Sequence, residues 1–252
     1  MTVPRFYVPE ISASEQPLPE DQSHHALHVL RMQNGDDLVV FDGAGKWAEA
    51  KLLLRHKEAY CRIEGPIQQD PLPSPRITLA CAIPKADRAQ TLVEQISQIG
   101  ATRLIWLDCR FSVVRPGAEG GKMNKWRRLA VESAKQCGRS WLLDIQPPQN
   151  LPPVLEMALM EKAKIFWADP QADQLLLSAA QEHKSSNVQS IFILIGPEGG
   201  WSEEESQSLS ALSKDGRVIP VKLGDNILRI ETAALAATAI VAQVFNHKKI
   251  HR

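Results

Sequence analysis

Two apolar runs in the last quarter of the chain each end in a glycine-bearing turn, and each leads into a helix-like segment. The first, Ser190-Ile191-Phe192-Ile193-Leu194-Ile195, stops at Gly196-Pro197-Glu198-Gly199-Gly200. A continuous run of that length, rich in β-branched residues and closed by Gly and Pro, has the pattern of a buried strand ending in a tight turn. After Trp201 come Ser202, Glu203, Glu204 and Glu205. Ser202 at an N-cap with Glu205 three residues later matches a capping box, and the carboxylates sit at the positive end of the helix dipole. The theme repeats. Val218-Ile219-Pro220-Val221-Lys222-Leu223 meets Gly224-Asp225-Asn226, and residues 227–232 then enter an alanine-rich run ending at Phe245. Strand, turn and helix, twice over, predict an α/β domain in which two strand-to-helix turns meet.

Charge restricts what such turns can hold. A phosphate cradle needs donors and positive potential, as in GxxxxGK[ST] or GxGxxG, and neither pattern occurs in this chain. The first turn carries Glu198 and Glu203 to Glu205 instead. Those carboxylates would repel a nucleotide phosphate but suit a ligand with positive charge, such as the sulfonium and ammonium groups of S-adenosylmethionine. ATP and NAD are disfavoured.

Residues 195–205, Ile-Gly-Pro-Glu-Gly-Gly-Trp-Ser-Glu-Glu-Glu, and residues 223–233, Leu-Gly-Asp-Asn-Ile-Leu-Arg-Ile-Glu-Thr-Ala, resemble the two signature loops of the ribosomal RNA small subunit methyltransferase E family. The resemblance implies a SPOUT-class α/β domain with a C-terminal trefoil knot, a feature outside the usual rules of chain topology. It implies S-adenosylmethionine as cofactor, methylation of N3 of uridine 1498 in 16S rRNA, a homodimer with its active site near the dimer interface, and no metal. Carried over residue by residue, the cofactor would be held by Ala168, Ile195, Gly196, Pro197, Glu198 and Gly199, and by Leu223, Gly224, Asn226, Ile227, Leu228 and Arg229. Arg229 would act in catalysis as a cation beside the charge that develops on the uracil. Glu231 would accept the proton of N3 or orient Arg229; completing the start of the last helix explains it equally well. Ile230 departs from the threonine more usual in this loop, which leaves open an RNA-binding protein without turnover. A SPOUT enzyme acting on another base or on a ribose 2′-OH is the other alternative.

The first part of the chain is β-like, with Arg5-Phe6-Tyr7-Val8, Asp37 to Phe41, Lys46 to Leu54 and Ala59 to Ile63 as strands of a small barrel. One helix, Asp21 to Met32, interrupts them. Pro4-Arg5-Phe6-Tyr7 and residues 24–31, with His24, His25 and His28, resemble the family's PUA-like RNA-binding domain. A zinc site at His24 and His28 is disfavoured, because no further ligand stands at suitable spacing. Residues 65–75 hold four prolines and read as a boundary. The expected organisation is therefore a PUA-like domain over 1–70, a linker over 71–75 and the methyltransferase domain over 76–252.

Beyond the linker, Ile77 to Ile83 reads as a strand, Asp87 as a helix N-cap, and Ala89, Leu92, Val93, Ile96 and Ile99 as one apolar face before Gly100. Arg103 to Leu107, a helix from Asn124 to Cys137, Leu142 to Ile145 and Lys164 to Trp167 continue a mostly parallel sheet. Trp106, Trp126 and Trp167 are expected in the core. This middle part is also the basic one: residues 71–150 hold 12 Lys and Arg against 6 Asp and Glu, in a chain whose net charge is +0. Arg110-Phe111-Ser112 and residues 132–139 resemble family motifs on the RNA-facing side. The RNA contacts expected along the chain are Arg5, His25, Arg31, Lys85, Arg88, Arg110, Lys135 and Arg139; Gln95 and Gln98 stand where charged residues are more usual. The apolar content of 44% has no run long enough for a bilayer. The N-terminal residues lack the pattern of a signal peptide and the four cysteines lack CxxC spacing, so a soluble cytoplasmic protein with reduced thiols is expected.

Overall fold

The structure, a computed structural model, describes residues 3–11, 14–55, 58–115, 120–185 and 187–245; Met1 and Thr2 of the N-terminal stretch fall outside it. The chain forms two compact units, Met1–Leu72 with Val131–Leu142, and Pro73–Ala130 with Leu143–Arg252.

The first unit contains β1 (Arg5–Tyr7), β2 (Glu15–Pro17), α1 (Glu20–His24), a π-helical turn (His25–Val29), β3 (Asp37–Phe41), β4 (Lys46–Arg55), β5 (Glu58–Ile63) and β6 (Gln68–Gln69). The sheet order is β1-β3-β4-β5-β2, with β6 beside β4. β4 organises it. Trp47 pairs with both Phe41 and Gln68, and Ala50 with both Leu38 and Ile63, so β3 holds one edge of β4 while β6 and β5 share the other. Alternation along β4 buries Ala48, Ala50 and Leu52 against Phe6, Val40 and Cys61. The helix expected from Asp21 to Met32 is shorter and wider than its apolar spacing predicts. The Leu30 N–H donates to the His25 carbonyl at 3.0 Å, five residues back, and Arg31 then turns at φ 55°. β2 and β6, short and polar, carry no sequence signal of a strand.

Segment 131–142, which the linear reading puts in the second domain, belongs to the first unit. Its contacts explain why. Gly45 N–H donates to the Ser140 carbonyl at 3.1 Å, and Leu142 N–H to that of Gly43 at 3.0 Å. Trp141 Nε1 donates to the Asp70 carbonyl at 3.3 Å, and the Ser140 hydroxyl to the Asp70 carboxylate.

The second unit is a parallel sheet of β7 (Arg76–Ala82), β8 (Arg103–Leu107), β9 (Asp144–Gln149), β10 (Lys164–Ala168), β11 (Ser190–Ile195) and β12 (Val218–Val221), in the order β12-β10-β11-β7-β8-β9. Its helices are α2 (Arg88–Ile99), α3 (Gly120–Cys137, which enters the first unit at Val131), α4 (Leu151–Met160), α5 (Leu176–Glu182), α6 (Glu203–Lys214) and α7 (Ile230–Phe245). The central strands explain the unbroken apolar runs: every residue of β11 is buried, as are six of the seven in β7. Pro147, Pro148 and Pro220 fall in the edge strands β9 and β12, where a missing N–H is tolerated. β9 starts at Asp144, two residues later than expected. After β12 at one edge, the chain returns and packs α7 against β7 and β11 in the middle, as well as against α2 and α5. This is the expected SPOUT-class α/β domain, and it follows a PUA-like unit.

The anticipated face of α2 is in place, with Ala89, Leu92, Val93 and Ile96 buried and Gly100 ending the helix at φ 114°. Asp87 occupies the N-cap position, but its carboxylate accepts from Gln90 Nε2 at 2.9 Å and makes no capping bond to the backbone. Trp106, Trp126 and Trp167 are buried. At the N-terminal end of the sheet, Glu161 accepts from Arg103 at 2.8 Å, Arg76 at 3.1 Å and Ser190 at 2.6 Å, joining β7, β8 and β11 below α4. Among the described residues no helix is long and apolar enough to cross a membrane, and no group of three or more His, Cys, Asp and Glu is placed to hold a metal.

Candidate functional site

At the other end of the sheet, the C-terminal ends of β10, β11 and β12 open on a cavity of about 430 Å³. Ligands of open α/β sheets bind at this end. The two glycine turns meet here: of the twelve residues expected to hold a cofactor, all but Gly199 and Arg229 line the cavity. The capping box is present, with Ser202 Oγ accepting from Glu205 N–H at 3.3 Å and Glu205 Oε2 from Ser202 N–H at 2.7 Å. Gly196 is required by a close approach rather than by its backbone angles, since a Cβ there would lie 2.7 Å from the Trp201 ring. Gly224, by contrast, turns at φ 156° with open space around it.

Sequence reasoning missed a third wall. Asp169, Pro170 and Gln171 follow β10 and line the cavity together with Trp201 and Lys222. Their loop carries no glycine signal and is held by its neighbours: Asp169 N–H donates to the Val221 carbonyl, and Lys222 N–H to that of Gln174, both at 2.9 Å. Only the general rule about strand ends could have found them.

The acidic character of the site is redistributed from what the sequence implies. Of the four carboxylates counted near the first turn, only Glu198 lines the cavity; Asp169 and Asp225 join it. Glu205 is engaged elsewhere, its two oxygens accepting from Ser202 N–H and, at 3.1 Å, from Arg110 N–H. Among the described residues the one cation in the lining is Lys222, which has Asp225 at 4.0 Å. Arg229 is exposed at the start of α7, and its carbonyl accepts from Ala233 N–H at 2.8 Å. Glu231 Oε1 lies 3.3 Å from Arg88 Nε, so the residue expected to accept the N3 proton or to orient Arg229 is paired with an expected RNA contact.

The other basic residues divide by environment. In the second unit Lys85 and Arg110 are exposed, and Lys85 adjoins a smaller cavity of about 370 Å³ between α2 and the start of α3. In the first unit Arg31 is exposed, whereas Arg5, Lys135 and Arg139 are drawn into packing. The Arg5 guanidinium stacks 5.2 Å from the Phe41 ring centre, with its Nε buried and without a hydrogen-bond partner among the described residues. Lys135, its side chain only 8% exposed, lies 5.7 Å from the Phe6 ring centre and 3.0 Å from Glu132. Burial lowers the pKa of Arg5 and Arg139. Burial, helped by the Lys135 charge, also lowers that of His25, which favours the neutral imidazole at pH 7.

These features have counterparts in known proteins. The family described as "RNA methyltransferase domain" matches residues 70–242, and that described as "RNA methyltransferase PUA domain" matches residues 18–64. Ribosomal RNA small subunit methyltransferase E of Synechocystis is 32% identical over 219 residues, 86% of this chain and 69% of that protein. The Bacillus subtilis protein of the same name is 27% identical, covering 88% and 87%. Among solved structures, Ribosomal RNA small subunit methyltransferase E from Neisseria gonorrhoeae bound to S-adenosyl methionine is 28% identical with a TM-score of 0.81, over 97% of this chain and 98% of that one. A putative methyltransferase from Legionella pneumophila in complex with the cofactor SAM is 25% identical with a TM-score of 0.83, over 97% and 99%. The chain belongs to the ribosomal RNA small subunit methyltransferase E family.

Proposed function

We propose that this protein transfers a methyl group from S-adenosylmethionine to N3 of a uridine in 16S rRNA, the family's uridine 1498. The observation that carries the reading is the cavity between the two glycine turns, with Arg229 exposed where the second turn enters α7. Its volume of about 430 Å³ lies within the range of cofactor pockets. Its lining fits the cofactor's charge, since Asp169, Glu198 and Asp225 outnumber Lys222 around a ligand that carries a sulfonium and an ammonium. The chemistry of the loops fits as well: Gly196 lets Trp201 close in, and Leu223, Ile227 and Leu228 supply apolar surface.

When bound, the cofactor supplies a methyl group on an electrophilic sulfur, so the protein's own task is positioning and charge. Uridine N3 must give up its proton, which passes to solvent water, and negative charge then spreads to the neighbouring carbonyl oxygens. Arg229, exposed and without an ion-pair partner among the described residues, is the cation for that charge. Glu231 is held by Arg88 and serves to orient the first turn of α7, and Arg229 with it. The same reading makes the small ribosomal subunit the partner and a homodimer the working form.

The test is transfer of labelled methyl from S-adenosylmethionine to small subunits and to naked rRNA from cells lacking the protein, followed by nucleoside digestion. Label in 3-methyluridine is the expected result. Label in another base or in a ribose would replace the substrate assignment, and cofactor binding without transfer to either RNA would sink the enzymatic reading.

A further inference from the structure

We propose that Phe111 is a stacking platform for a base of the substrate RNA, held at a fixed position beside the cofactor turn; this rests on the methyltransferase reading above. Phe111 follows β8 and is 50% exposed, and its neighbour Val113 is 59% exposed. Single exposed apolar residues are ordinary, and exposure alone would carry nothing. What sets Phe111 apart is how firmly its loop is built. Arg110 N–H donates to Glu205 Oε1 at 3.1 Å, and the other oxygen of that carboxylate caps α6 immediately after the glycine turn. Cys109 N–H donates to Ser112 Oγ at 3.2 Å, and Ser112 N–H to the Cys109 carbonyl at 3.1 Å. Arg115 ties off the far side, donating to the Arg110 carbonyl at 3.0 Å and to Asp108 at 3.1 Å.

The loop also abuts the turn directly. A Cβ on Gly199 would lie 2.9 Å from Phe111 Cβ and 3.2 Å from its carbonyl oxygen, while Glu198 and Gly200 on either side line the cofactor cavity. Phe111 is therefore fixed at its backbone to the wall of the site, while half of the residue remains open to solvent. A methyl acceptor in RNA has to be unstacked before it can reach a donor, and an unstacked base is held by an aromatic face. A phenyl ring carried on a backbone so fixed, in a half-exposed residue next to the donor site, meets that need for any base, because stacking does not read hydrogen-bonding edges.

The experiment compares the wild type with Phe111→Ala and Phe111→Tyr in three measurements: affinity for S-adenosylmethionine by calorimetry, affinity for small subunits from cells lacking the protein, and the steady-state constants of methyl transfer. Phe111→Ala is expected to weaken RNA binding and raise KM for the subunit roughly ten- to a hundredfold. Cofactor affinity should be unchanged, and Phe111→Tyr should stay within a few-fold of wild type. Unchanged RNA affinity and KM in Phe111→Ala would overturn the platform while leaving the methyltransferase reading intact. A matching loss of cofactor affinity would also overturn it, since Phe111 would then be only a prop for Gly199. Absence of transfer by the wild type itself would remove the reading on which the proposal stands.

Discussion

Arg229 and Glu161 show how differently two charged residues can be used. Arg229 is exposed between Leu228 and Ile230, which line the cavity, so its removal should spare the fold. Arg229→Ala is expected to lower methyl transfer by about 10²- to 10³-fold, the range for losing one electrostatic contact to developing charge, with S-adenosylmethionine affinity within a few-fold. Arg229→Lys should recover part of the rate, and steady-state kinetics beside calorimetry would check both. Glu161 is structural. Burial works to raise its carboxyl pKa, but hydrogen bonds from Ser190 and Arg103 and the charges of Arg103 and Arg76 outweigh it and hold the pKa below the ordinary value. Because the folded value is the lower one, the group contributes stability that is complete above its unfolded pKa and is lost as pH falls through the folded one. Glu161→Gln should therefore be less stable than wild type at pH 7 and lose less on acidification. Urea denaturation between pH 7 and pH 3 would show the two curves converging; parallel curves would count against the assignment.

At the scale of elements, what could be read from the sequence was what is local. The Ser202 to Glu205 spacing specifies its capping box within one turn of helix, and the apolar runs of β7 and β11 announce burial on both faces. Elements shaped by distant partners stayed hidden. β6 exists only because Gln68 and Gln69 meet Trp47 and Lys46, and the π turn at His25 has no mark in a pattern read at 3.6 residues per turn. The cavity's two glycine turns were legible, while the Asp169 to Gln171 wall, pinned from β12, was not. Glu205 links both kinds, since it caps its own helix and holds the Arg110 loop. Ser202→Ala should cost about 1 kcal/mol, as for other N-cap losses, because Glu205 keeps its bonds to the Ser202 and Arg110 N–H groups. Glu205→Ala should cost more and should speed hydrogen exchange at the Arg110 amide, which Ser202→Ala leaves protected. Equal stability loss and equal exchange in the two variants would refute this division of labour.

At the scale of the molecule, the proline-rich stretch at residues 65–75 reads as a boundary, and the chain does leave the first unit there, at Leu72. Periodicity had no means of showing that it comes back. Residues 131–137 continue a helix begun in the second unit, so nothing in their composition separates them from it. The contacts of segment 131–142 are nonetheless with the first unit: Trp141 and Ser140 satisfy Asp70, Leu142 meets Gly43, and Lys135 covers Phe6. Without that segment the unit is left with residues 1–72, and at or below roughly 70 to 80 residues a single core seldom supplies more than about 3–5 kcal/mol. Residues 1–72 expressed alone should therefore show no cooperative thermal transition by circular dichroism. The same fragment joined to residues 131–142 through a Gly/Ser linker should regain one, because Asp70, Gly43 and Phe6 recover their partners. A sharp, reversible transition in the shorter fragment would mean that the first unit is complete without the returning segment, and that segment 131–142 is held by the first unit without supporting it.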